Sequence, residues 1–219
     1  MKRLGLFLIL CLLPVVAHAE TFTYNVKQMG LGLGKATLIF GQEAEFEGQK
    51  LVLVIFKADG FNFYDEEKIY LTKDTFKPVA VERDLNIFGK KEKITEKYLT
   101  KEGKIQITKV ANGKTTQEIL EKKGEIDNIY GFIYRYRKEG KFTIGETFDV
   151  HLPTKDVKIK LIKQMKFDAM GKKFDSYYME SQPAQFKLWF DTGDKKMPLR
   201  ISGSVGAASS VMTLIDYKE

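Results

Sequence analysis

The sequence predicts an all-β, mainly antiparallel fold: a strongly curved sheet or incomplete β-barrel of about a dozen strands, with one short central helix. Three observations carry this expectation. Apolar and polar side chains alternate with period two through most of the chain after residue 20, as they do in half-buried strands. Turn residues interrupt these runs at short intervals, as hairpin connections do. One segment, around residues 126–137, changes to three-and-four spacing, which is the period of a helix.

The chain begins with a predicted secretory leader over residues 1–19. Lys2 and Arg3 supply its positive start, Leu4 to Val16 is almost wholly apolar, and Ala17-His18-Ala19 has the form of a cleavage site. The apolar run of about 13 residues falls short of the roughly 20 that a spanning helix needs. Cys11 lies inside that run, too early for a lipid-bearing cysteine at the cleavage point. Cleavage after Ala19 would leave residues 20–219 as one β-rich domain in the periplasm, and no later stretch is apolar and long enough to span as a helix.

From Glu20 onward the strands follow in order. Phe22, Tyr24 and Val26 face one way while Thr23, Asn25 and Lys27 face the other. A glycine-rich turn leads into the strand KATLIF, and Leu51 to Phe56 reads as a strand covered on both sides. Ile69–Leu71, Val79–Val81, Ile94–Tyr98 and Ile105–Ile107 continue the series, followed by Val157–Leu161, Phe186–Phe190 and Val211–Tyr217. Between them lie Gly48-Gln49, Lys73-Asp74, Phe88-Gly89, Glu102-Gly103, Asn112-Gly113 and Gly193-Asp194. Asn-Gly between alternating runs is the strongest of these hairpin signals, because both residues tolerate positive φ. The helix is expected from Ile126, Ile129, Tyr130, Ile133, Tyr134 and Arg137, with Asp127 in its first turn, Gly131 weakening it and Gly140 closing it. Asp59 to Glu67, with Phe61, Phe63 and Tyr64, is expected to hold a short helical turn.

Composition removes several classes. With 43% apolar residues, 16 Phe and 10 Tyr, the chain can build a core and is not disordered. Its one Cys cannot form an internal disulfide. Without the leader the chain keeps no Cys, a single histidine (His151) and a formal charge of +5 in place of +7. Thiol chemistry and Cys-ligated metal sites are thereby excluded.

Several of these stretches resemble domain-of-unknown-function family 3108, a group of bacterial envelope proteins. FTYNV, the glycine turn and KATLIF are similar to the family's opening; IYLTKDTFKPVAVER is similar to its strand, turn and Pro-containing strand. Asp127 to Gly145 resembles its central helical segment, and Trp189, Asp191, Pro198, Leu199 and Ile201 its closing strands. The chain departs at Asn128-Ile129, where the family more often has serine, and only Arg135 or Arg137 matches its usual arginine. The resemblance implies a secreted all-β envelope protein and transfers no catalytic residues.

Among candidate sites, the aromatic residues Tyr130, Tyr134, Tyr136, Tyr177 and Trp189 are expected to line an apolar pocket for a hydrophobic or lipid-like ligand, against the alternative that they fill the core. Phe190-Asp191-Thr192-Gly193 has the form in which aspartic proteases present a carboxylate, but D-T-G is also ordinary turn chemistry. Gly30, Gly32 and Gly34 precede a strand and not a helix, which suits a hairpin or bulge better than a phosphate loop. His151 has no nucleophile at a recognisable spacing, and neither Asp65-Glu66-Glu67 nor Asp191 with Asp194 forms a calcium loop. No metal or cofactor is expected. The lysines are scattered through turns among glutamates, so nucleic acid is not an expected partner, although an anionic envelope lipid is. The function expected is non-catalytic: a periplasmic monomer that binds a hydrophobe or helps maintain the envelope. The alternatives are a structural or protein-interaction module of the envelope and, less favoured, a carboxylate-based hydrolase.

Overall fold

A computed structural model describes residues 19–28, 31–205 and 208–219, without the side chains of residues 204–209. The expected leader, apart from Ala19, and Gly30 lie outside the described residues. The alternating segments form fourteen strands: β1 (Glu20–Gln28), β2 (Leu31–Phe46), β3 (Gln49–Gly60), β4 (Phe63–Leu71), β5 (Pro78–Ile87), β6 (Lys90–Leu99), β7 (Lys104–Ala111), β8 (Lys114–Glu121), β9 (Thr147–Leu152), β10 (Lys155–Ala169), β11 (Lys172–Gln182), β12 (Phe186–Asp191), β13 (Pro198–Val205) and β14 (Ala208–Lys218). One helix, α1 (Ile129–Glu139), separates β8 from β9.

All pairings are antiparallel and join the strands into one sheet of order β8-β7-β6-β5-β4-β3-β2-β1-β14-β13-β12-β11-β10-β9. The first and last strands therefore pair at its middle, and the two strands flanking the helix form its edges. The sheet curls strongly. Met170, at the β10–β11 turn, donates its backbone N–H to Leu214 on β14 at 3.2 Å although three strands lie between β14 and β10. Both edges are blunted: β8 carries Lys, Thr, Gln and Glu, and the β9 backbone at His151 exchanges a hydrogen bond with Asp127.

The inner face buries the expected apolar positions, including Phe22, Tyr24, Leu38, Phe40, Ile159 and Leu161. Helix α1 runs inside this face. Tyr130 stacks on Phe56 with centroids 4.4 Å apart, Tyr134 meets Phe40 at 5.3 Å, and Tyr136 meets Phe148 of β9 and Phe190 of β12 at 4.8 and 5.7 Å. A helix with Tyr130, Phe132, Ile133, Tyr134 and Tyr136 all buried is covered on every side, and only a wrapped sheet can cover it so.

The helix starts three residues later than the spacing predicts. Asn128 is its N-cap, its side chain accepting from Tyr130 N at 2.9 Å and Gly131 N at 3.3 Å, a role asparagine and serine share. Asp127 is not a first-turn acid. Its buried carboxylate accepts from Lys77 at 3.0 Å, pairs with Arg135 at 3.0 Å and accepts the His151 N–H at 3.1 Å. Gly131 costs helix propensity, but a Cβ there would lie 3.1 Å from Leu71, so glycine lets the helix approach β4. The helical turn expected at Asp59 to Glu67 is absent: β3 and β4 pair through this segment, from Gly60 with Phe63 to Phe56 with Glu67, around a tight turn at Phe61-Asn62.

Arg137 latches the far end of the helix. Its guanidinium makes two hydrogen bonds to the Glu20 carboxylate at 3.1 and 2.8 Å, donates to the Lys195 and Lys196 carbonyls and lies over the Phe22 ring at 4.8 Å. Breaking a buried pair strands one charge. Arg137→Ala is expected to lower the free energy of unfolding by about 3–5 kcal/mol in urea denaturation. Arg137→Lys should recover less than half, because an ammonium cannot reproduce the planar fork.

Candidate functional site

Helix α1 fills only part of the space that the sheet encloses. Beyond its N-terminus, where the end of β1, the start of β2 and the β3–β4 and β5–β6 turns gather, a cavity of about 420 Å³ opens. Val26, Phe56, Ala58, Phe63, Leu85 and Met212 form its walls. A second chamber of about 280 Å³ lies towards the helix, bordered by Tyr130, Asn128 and the Pro153-Thr154 turn. The chambers share Arg83, Ser210 and Met212 and so adjoin one another. A volume of this size falls within the range of small-molecule sites.

The strands bring charge to the floor of this space. Period two on β4 aims Phe63, Asp65, Glu67 and Ile69 to one side, and the inward carboxylates of β4 face Arg83 of the paired strand β5. Arg83 donates from Nε and Nη2 to the two oxygens of the fully buried Asp65 at 2.7 and 2.5 Å. That hydrogen bonding holds the guanidinium above its ordinary pKa. Glu67, opposite Arg83 in register, accepts from the N-cap side chain of Asn128 at 2.5 Å. Glu96 of β6 accepts from the Tyr98 hydroxyl at 2.7 Å. Burial pushes the Glu67 carboxyl up to about 7, against the pull of Arg83 and Asn128, and raises Glu96. Three carboxylates and one guanidinium thus share an interior where desolvation disfavours the negative charges of Glu67 and Glu96.

The five aromatic residues singled out from sequence are not brought together. Tyr130 alone borders the cavity. Tyr134 packs between Phe40 and Phe76 at 5.3 and 5.2 Å. Tyr136 sits among Phe132, Phe142, Phe148 and Phe190 and donates its hydroxyl to Glu146 at 3.1 Å. Tyr177 lies against Phe142 at 5.1 Å. Trp189 points away from the helix, between Phe167, Tyr178 and the Arg200 guanidinium. Of the remaining motifs, Asp191 holds the β12–β13 turn: its carboxylate accepts the Met197 N–H, and a Cβ at Gly193 would come within 2.9 Å of it. Gly34 faces Gly60 across β2 and β3, where a Cβ on Gly34 would meet the Asp59 carbonyl at 2.1 Å, so Gly34 serves close strand approach, whereas at Gly32 a Cβ would meet nothing within 4 Å. His151 pairs with Asp156 at 3.2 Å. Among the described residues no group of three or more His, Cys, Asp or Glu gathers to hold a metal ion.

Sequence reasoning weighed Asp65 and Glu67 only as part of a calcium loop that they do not form, and it missed Arg83 and Glu96. The signal was present: Phe63, Asp65, Glu67, Ile69 and Leu71 keep period two, which puts the acids on the same face as the apolar residues.

The model of the family described as "Protein of unknown function (DUF3108)" matches residues 23–215. The chain belongs to this family. No curated protein matches it in sequence. A crystal structure of a β-barrel-like protein of domain of unknown function DUF1849 from Brucella abortus is similar in fold, with a TM-score of 0.52 at 9% identity, covering 91% of this chain and 97% of that one. At that identity the likeness is one of architecture, and this DUF3108 chain shares with it a β-barrel-like antiparallel sheet. No helix among the described residues of this DUF3108 chain is long and apolar enough to cross a membrane.

The elevated Glu67 pKa fixes the sign of a pH effect. The native state holds this proton up to about pH 7, whereas the ordinary carboxyl value is 4.5. The stability it contributes is therefore complete below 4.5 and is lost as pH rises through 7. Glu67→Gln, neutral throughout, is expected to flatten that slope and to unfold later than the parent above about pH 8, by on the order of 2–3 kcal/mol, in urea melts across a pH series.

Proposed function

We propose that this chain is an exported, non-catalytic protein of the periplasm that binds a small hydrophobic or lipid-like ligand. The observation that carries this reading is the apolar chamber of about 420 Å³ at one end of the sheet. Its walls offer hydrocarbon, and the adjoining smaller chamber offers Arg83, Glu67 and Glu96, so the ligand that fits is amphipathic: an apolar body in the larger chamber and a polar end near the helix N-terminus. Export is supported by the leader pattern of residues 1–19. The hydrolase alternative gains nothing from Asp191, whose carboxylate is engaged in its own turn. The interaction-module alternative is weakened by the charged β8 edge and the covered β9 edge.

Two measurements test the reading. Cell fractionation with N-terminal sequencing should find the protein in the periplasm beginning at Glu20; a chain retained in the cytoplasm with Met1 intact would refute export. Fluorescence titration with cis-parinaric acid should show saturable binding. Ala58→Leu, which places a larger side chain in the chamber wall, should weaken it about ten-fold or more while the far-ultraviolet circular dichroism stays unchanged. Parent protein that binds no parinaric acid, and carries no hydrophobe in native mass spectrometry, would overturn the binding proposal.

A further inference from the structure

The mouth of the larger chamber carries an apolar rim that nothing in the described fold covers. Phe61 at the β3–β4 turn is 88% exposed, Phe88 at the β5–β6 turn 76%, and Leu31 at the start of β2 72%. Leu33 and Ile87 are also exposed, and together with Phe61 and Phe88 they border the opening. Single exposed apolar side chains are ordinary on a protein surface; several gathered around one opening are not.

Phe88 is set against the local chemistry of its turn. Its φ is 50°, in the left-handed region, where a bulky residue is an outlier. Three other tight turns place Glu47, Asn112 and Met170 at the same position before a glycine with the same sign of φ. The geometry therefore does not require an aromatic ring, and exposure means that the core does not use it either.

Charge surrounds the same opening. Lys27, Lys35, Lys90 and Lys91 stand exposed at the strand ends beside these turns, and among the described residues none of the four is in an ion pair. Asp59, opposite Lys35 in register, is the exposed carboxylate bordering the opening. Asp84 and Glu92, farther along the β5–β6 hairpin, are paired with Lys93 and Lys109.

We propose that this rim docks on an anionic lipid bilayer, with Phe61 and Phe88 entering at the headgroup level, the four lysines over lipid phosphates, and the chamber mouth facing the membrane. Phenylalanine and leucine side chains bury at the boundary between headgroups and acyl chains, and apolar tips flanked by basic residues combine the two forces that hold a protein on such a surface. A second copy seated rim to rim fits less well, because a two-fold contact would set the lysines of one copy against those of the other. This inference goes beyond ligand binding and does not depend on it.

The test is flotation of the chain from Glu20 onward, which contains every described strand and the helix, with vesicles of phosphatidylethanolamine and phosphatidylglycerol, beside vesicles of phosphatidylcholine alone. The parent should float with the anionic vesicles, more strongly at low salt, and not with phosphatidylcholine. Phe61→Ser with Phe88→Asn should lower partitioning by about ten-fold or more, and Lys90→Glu with Lys91→Glu should do the same at low salt. Phe88→Asn should leave the urea midpoint unchanged or raise it, since asparagine tolerates the positive φ. Three results would overturn the proposal: a parent that stays with the unbound fraction, variants that float as the parent does, or a parent dimer that the phenylalanine substitutions dissolve. Flotation without parinaric acid binding would leave this inference standing and remove the ligand reading; the reverse result would do the opposite.

Discussion

Filling the interior of a curled fourteen-stranded sheet is the constraint on which this structure depends. An eight-stranded barrel can be filled by its own inward side chains, whereas wider ones enclose space that side chains alone do not reach. Here the filler is helix α1, whose aromatic residues meet β2, β3, β9 and β12 at once. Removing the helix would leave Phe40, Phe56, Phe148 and Phe190 facing a void. The strand order follows the same logic: the helix sits in the connection between the two edge strands, so the chain lays down one half of the wall, inserts the plug, and closes with the other half.

The plug is short for its container. Eleven residues of helix span about 16 Å, while the sixteen residues of β2 extend to roughly 50 Å along a tilted path. The aromatic packing and the Arg137 latch draw the helix to one end. The cavity is what remains at the other. Its charged floor is a cost that a filled apolar core would avoid, because buried ion pairs seldom stabilise more than a hydrophobic equivalent of the same shape. The Asp65–Arg83 pair satisfies itself with two short hydrogen bonds, but Glu67 accepts from the Asn128 side chain and Glu96 from the Tyr98 hydroxyl, in an interior whose desolvation raises the pKa of both. Carboxylates held in that state face space and not packed side chains, which sets this end apart from the aromatic end.

Most strands were legible in the sequence because their inward positions are apolar, so period two appears as alternation of hydrophobicity. The floor was obscured for the opposite reason. On β4 the inward series passes from Phe63 through Asp65 and Glu67 to Ile69, and a pattern read by hydrophobicity alone breaks at the two acids. Phe61, Phe63 and Tyr64 then suggested a helical turn where a hairpin stands. The scatter of the five aromatic residues has a different cause. In β12 the run Leu188-Trp189-Phe190 is apolar on both faces, so the sequence does not reveal which ring points inward; Tyr178, Phe167 and Arg200 cover Trp189 on the outer side. The helix was visible from its spacing, but its start was not, since Ile126 is buried ahead of the cap and extends the apolar period into the preceding loop.

The two ends of the molecule consequently differ in character, and the direction of β1 relates them. This strand begins at Glu20, in the Arg137 latch, and ends beside the chamber mouth at Gln28. Whatever precedes Glu20 in the chain therefore joins the packed end, remote from Phe61 and Phe88. An apolar leader still attached there would hold the chain to a membrane by the packed end and leave the mouth turned away from that attachment point. Release at Ala19 would free the molecule to reorient about its rim, with Glu20 engaged by Arg137 and Tyr217 in either case. Export by a cleaved leader and docking through the mouth thus make compatible geometric demands on one strand.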